Sequence, residues 1–201
     1  MLPTPAFFSA PKGESHEVVE AVLDDLKRHL GLQGASISLV PLDLLSGDCR
    51  LDYNASSATA GTWQSDGNSG VIRYDPELVK RPLPLISTLA HELMHHVLHS
   101  QASHPPGGPE AEELATDLHV ITSGLGVLKL AGAEVMGWQG YMTQPTRAHA
   151  LALLLAVQAQ PEKQALEHLP PRAAKFLRHT VKQVAASGVA ADIREEFGWS
   201  G

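Results

Sequence analysis

Residues 91–95 read His-Glu-Leu-Met-His, the pattern H-E-x-x-H. On a helix, side chains four apart share a face with about 5 to 6 Å between their Cβ atoms, so His91 and His95 can bind one metal ion. Glu92 lies about 100° round the helix from His91, where its carboxylate can deprotonate a water on the metal without being a ligand. That is the role of a general base. With 11 histidines in 201 residues the pattern also arises by chance, so its setting decides. Here it falls inside an expected helix whose apolar stripe (Ile86, Leu89, Leu93, Val97) faces away from both histidines, and an acidic helix follows after a short loop. His96 points away from His95, and His99 is about 12 Å along the axis from His91, so neither should join the same ion. A site built on His95, His96 and His99 instead would leave the acidic helix without a part in it.

A hydrolytic zinc site needs three protein ligands and one open position. Glu110, Glu112, Glu113 and Asp117 are the candidates for the third. On a helical wheel with Leu114, Leu118 and Ile121 as the core seam, Glu113 and Asp117 lie together on its flank. Glu112 falls with Thr116 and His119 on a face expected in water, and Glu110 sits at the junction where capping is its ordinary use. Glu113 is therefore the expected ligand, with Glu112 or Glu110 as alternatives. Asp117, one turn on, can accept the second ring N–H of a ligand histidine and fix its tautomer. A hydrolytic site of this kind also needs a donor to the developing oxyanion; Tyr141, in a Gly-rich stretch after the glutamate helix, is the choice over His149 and His119.

The elements that must position these groups follow from periodicity. Val18, Val19, Val22, Leu23, Leu26 and Leu30 predict a packing helix between Ser15 as N-cap and Gly31 as stop. Alternation over 35–40, and 62–64 and 71–74 around the turn-rich Ser65–Gly70, predicts a small sheet with a hairpin. Pro82 and Pro84 open the H-E-x-x-H helix. Ser103–Pro109 is a loop, and helices are expected over 110–123, 146–160 and 171–186. Residues 1–14 read as a flexible, Pro-punctuated tail and 15–201 as a single domain. Trp63 and Trp138 receive no role.

A net charge of −7 gives no basic footprint for nucleic acid or an anionic membrane surface. No run of uninterrupted apolar residues approaches the roughly eighteen of a membrane span. Cys49 is the single cysteine, which excludes an internal disulfide and favours a cytoplasmic setting.

The pair HELMH and Glu113-Leu-Ala-Thr-Asp117 resembles the gluzincin branch of the zinc metallopeptidases, in which H-E-x-x-H is completed by a downstream E-x-x-x-D. The wider runs TLAHELMHHVLH, TAGTWQ, VIRYD and ATDLHVITSGLGV are similar to bacterial zincin-like proteins over about residues 55–145. The metzincin pattern, with a glycine and a third histidine closely following, is absent. The resemblance implies an α+β zincin-like fold: a small N-terminal β-sheet, an active-site helix and a mainly helical C-terminal half. It implies His91, His95 and Glu113 as Zn²⁺ ligands, Glu92 as base and Asp117 as the orienting acid, and residues 71–74 as a strand whose free edge could take an extended substrate, the alternative being a plain structural strand. The expected function is peptide-bond hydrolysis by a zinc-dependent metallopeptidase acting on a peptide or protein substrate. The alternative is a zincin-like domain that binds zinc in a regulatory role, cutting nothing or one dedicated partner.

Overall fold

The structure, a computed structural model, describes residues 1–42, 60–66, 69–100, 104–137 and 141–198. Cys49 and Trp138 lie outside them. The class is α+β, with a three-stranded sheet and a large helical share. Two compact units are present, Pro5–Ala102 and a second made of Met1–Thr4 with Ser103–Gly201.

In the first unit, helix α1 (His16–His29) packs on α2 (Pro82–His99), and the sheet of β1 (Ile37–Pro41), β2 (Gly61–Asp66) and β3 (Ser69–Tyr74) covers α2. Ser15 is the N-cap residue of α1, but its hydroxyl bonds the Glu17 side chain and caps no backbone N–H. The other end stops as expected. Gly31 takes φ +71°, and the Gly31 and Leu32 N–H groups return to the carbonyls of Arg28 and Lys27, a turn that favours glycine. The buried Asp25 carboxylate accepts Ser9 N–H at 2.6 Å and Ser9 Oγ at 2.8 Å, which ties the preceding segment to α1.

The hairpin forms as periodicity predicts, with β2 and β3 antiparallel and Asp66 opposite Ser69. β1 then pairs in parallel with the other side of β3, Ile37 opposite Gly70 and Pro41 opposite Tyr74. β3 is therefore the central strand, and the free edge expected at residues 71–74 does not exist. Alternation alone cannot tell a central strand from an edge. Among the described residues the edges are β2 and β1, and Pro41 stands where a missing N–H is tolerated.

In the second unit, a 3₁₀ turn (Pro109–Ala111) leads into α3 (Glu112–Val120), a π turn (Ile121–Leu125) and α4 (Gly126–Val135). The helix expected to end near 123 thus continues to 135. Gly124, at φ +85°, makes a kink and not a terminus. Gly126 serves packing: a Cβ there would stand 2.8 Å from Leu151 Cδ1 and 3.0 Å from Ile121 Cγ2. Helices α5 (Gln144–Val157) and α7 (Pro171–Ser187) pack closely together, joined by the short α6 (Lys163–Glu167) and followed by α8 (Val189–Glu196). With its polar residues included, Pro109–Val135 is the one helical stretch among the described residues long and apolar enough to cross a membrane, and 61% of its most apolar window is buried, as in a core helix.

Candidate metal centre

Helix α2 opens with Pro82, whose missing N–H is no loss in a first turn, and buries Leu85, Ile86, Leu89, Ala90, Leu93 and Met94. The opposite side keeps His91 and His95 half-buried. Their rings are nearly perpendicular, at 88°, with Nε2 of one 3.2 Å from Nε2 of the other. The two Nε2 atoms are thus close enough for one ion to reach both.

Glu92 is buried, 6% exposed, on the side of α2 against which β2 begins. The fit there is close, because a Cβ on Gly61 would lie 2.6 Å from Thr88 Cγ2 and 3.1 Å from Glu92 Cγ. Only glycine lets the strand start so near this carboxylate. Gly61 was not singled out by its pattern, although a glycine opening a strand is a signal of close backbone approach.

Two residues along β2, the Trp63 indole borders three of the histidines. It lies nearly parallel to His95 at 6.4 Å between centroids, edge-on to His96 at 6.1 Å and tilted against His99 at 4.9 Å. Burial lowers the His96 imidazole below the usual histidine value, and charge at His99 and Lys27 adds to this. His96 and His99 thus pack against an aromatic ring. Among the described residues they join no group of three His, Cys, Asp or Glu side chains suited to a metal.

One such group is present. His91, His95 and Glu113, all half-buried, place one ligand atom each within 4.8 Å of one another, an arrangement that can hold a metal ion. Of the other acids considered for this place, Glu112 is exposed and bonds His104 at 2.9 Å, and Glu110 is exposed in the 3₁₀ turn.

The helical wheel that pointed to Glu113 was nevertheless turned the wrong way. Leu114 and Leu118, expected in the core seam, are 47% and 41% exposed. Thr116, expected in water, is fully buried and donates its hydroxyl to the Glu112 carbonyl at 2.8 Å. Asp117 is fully buried too. Its Oδ1 takes Lys129 Nζ at 2.6 Å, and its Oδ2 takes Arg147 Nη2 at 3.1 Å and the Met142 N–H at 3.2 Å. Helical spacing does not point to Lys129 or Arg147, although a lysine inside the apolar run 126–133 is a sequence signal of a buried charged partner. Gln144 extends the network, accepting from Arg147 and donating to Glu134.

Tyr141 is 60% exposed, and it directly precedes the residue whose backbone is fixed on Asp117. His149 is exposed on α5, and His119 Nδ1 bonds the Ala115 carbonyl at 2.8 Å. No protein-family model matches this chain, and neither does any curated protein or solved structure.

Proposed function

We propose that this protein is a zinc-dependent hydrolase, and within that class a metallopeptidase of the gluzincin kind with a zincin-like fold, whose zinc is held by His91, His95 and Glu113. The observation that carries the reading is the 3.2 Å between the two Nε2 atoms, with the Glu113 carboxylate in the same group. Two nitrogens bound to one tetrahedral zinc at about 2.0–2.1 Å stand about 3.3 Å apart. Two imidazoles and a carboxylate are also the donor set of catalytic zinc sites that keep a fourth position open.

When bound, zinc supplies Lewis acidity, which polarises a scissile carbonyl and makes water acidic enough to ionise near neutral pH. The chain's own residues do the rest. Glu92 takes the proton from the attacking water and passes it to the leaving amine, so the hydrolysis consumes one water and leaves a carboxylate and an amine. Asp117, whose carboxylate is held by Lys129, Arg147 and the Met142 N–H, is a positioning residue that sets the direction in which Glu113, one turn earlier, leaves α3. Tyr141, next to the Met142 anchor, donates to the oxyanion as it forms. The substrate is a peptide or protein, encountered in the cytoplasm.

Elemental analysis and cleavage of a broad peptide library, on wild type, His95→Ala, Glu113→Ala and Glu92→Gln, test this. Wild type and Glu92→Gln should each hold one zinc, and the two ligand variants none. Cleavage by Glu92→Gln should fall by about 10²–10⁴. Zinc without cleavage of any peptide would overturn the peptidase assignment, and a wild type that takes up no zinc would overturn the whole reading.

A further inference from the structure

Strand β2 and helix α2 run in the same direction. Gly61 meets Thr88 and Glu92, and Trp63, one strand repeat later, meets His95, His96 and His99. Just past that point the first unit contains a cavity of about 380 Å³, walled by Trp63, His96 and His99 with Leu32 and Val97. Its remaining lining residues among the described ones are serines, and none of the described lining residues is Asp, Glu, Lys or Arg. The size lies at the lower end of the range for ligand pockets, and a lining of aromatic rings and aliphatic chains suits a ring better than a charged or small polar group. One indole is shared between this cavity and the ring of His95, so the cavity begins where the metal group ends.

We propose that the cavity walled by Trp63, His96 and His99 is a specificity pocket for an aromatic side chain of the peptide substrate. This rests on the metallopeptidase reading for the word substrate, and on the cavity alone for the preference. An extended chain presents a side chain to the same face about every 6.6–6.8 Å. A peptide laid along the edge strand β2, with its scissile bond near Glu92, therefore brings one side chain beside Trp63, one repeat from the bond cut.

The expected selectivity is about ten- to hundredfold in kcat/KM for Phe, Tyr or Trp over Ala at a single position near the cleaved bond, the range that burying one large apolar side chain supports. Ser100 caps α2 at the edge of the cavity, is exposed, and donates its hydroxyl to the Val97 carbonyl of its own helix. Ser100→Phe should plug the cavity, bringing kcat/KM for the Phe, Tyr and Trp peptides down to that for the Ala peptide.

A second readout does not need activity. In ¹H–¹⁵N spectra of the full chain, with the Trp63 indole resonance identified by its loss in Trp63→Phe, N-acetyl-phenylalaninamide should shift that resonance saturably. N-acetyl-alaninamide should not, and Ser100→Phe should abolish the response. A Trp63 response with no peptide cleaved leaves the pocket standing and removes the peptidase reading. Cleavage without aromatic preference, or a Trp63 resonance that ignores the phenylalanine amide or answers both amides equally, overturns the pocket.

Discussion

Replacing Asp117 by Asn tests whether charge, and not apolar periodicity, decides which face α3 buries. The carboxylate is fully buried, with Lys129 Nζ at 2.6 Å and Arg147 Nη2 at 3.1 Å, and both cations are themselves buried. Asn keeps the shape but removes the anion between two cations and turns a donor toward one of them. Breaking a buried pair by removing one partner costs about 3–5 kcal/mol. In a chain of this length each kcal/mol moves the melting temperature by about 2–4 °C, so a drop of roughly 6–20 °C is expected. Lys129→Met is the control. It removes one of the two cations, leaves Arg147 and the Met142 N–H on the carboxylate, and puts an apolar chain between Leu128 and Leu130, so its effect should stay within about 2 kcal/mol in either direction. Urea unfolding followed by circular dichroism measures both, and the gap should persist in high salt because buried pairs are screened little. A loss below about 1 kcal/mol for Asp117→Asn, or equal losses for the two variants, would refute the argument.

Gly61→Ala should cost about 1–3 kcal/mol, because the added Cβ meets Thr88 Cγ2 at 2.6 Å, and adding Thr88→Ser, which removes that methyl, should restore part of the loss in the same unfolding assay. Burial raises the Asp25 carboxyl, but the Ser9 N–H, the Ser9 hydroxyl and the Arg28 guanidinium together outweigh it and hold the pKa below the usual value. A group depressed in the folded state stabilises above its unfolded pKa of about 3.9 and loses that stabilisation as pH falls through the folded pKa, so the margin of wild type over Asp25→Asn in thermal melts should be constant above about pH 5 and shrink on acidification; a margin that widens in acid contradicts this. After treatment with a chelator, zinc at a hundredfold excess over its Kd should add about 2.7 kcal/mol of stability to wild type and little to His95→Ala or Glu113→Ala, read as a shift in melting temperature; equal shifts would place the binding elsewhere.

The parts of the molecule legible in its sequence are those where one physical effect acts alone. Helix α2 carries a stripe of Ile86, Leu89 and Leu93 with two prolines in its first turn, and the structure places His91 and His95 together on the other side. α1 ends at Gly31 because a left-handed residue there favours glycine. The hairpin follows from alternation and turn residues. The position of β1 does not, because a parallel partner is set by contacts distant in sequence, and this turned the expected edge at residues 71–74 into the middle of the sheet.

Helix α3 shows what happens when two effects compete. A wheel weighted by hydrophobicity turns Leu114 and Leu118 inward and leaves Thr116 outside, whereas the structure buries Thr116, Asp117 and Val120. A carboxylate enters a core only where its charge is met, and that condition is supplied by Lys129 from α4, Arg147 from α5 and the Met142 backbone ahead of α5. None of these is within a helical turn of Asp117, so no window on α3 could reveal them. The same network fixes the rotation of α3 about its axis, and with it the direction in which Glu113, one turn earlier, leaves the helix. Glu113 and Asp117 are four residues apart and share a side of the helix whichever way the helix is turned, so an inverted wheel still keeps the two acids together. The spacing of the two acids held information that their supposed neighbours did not.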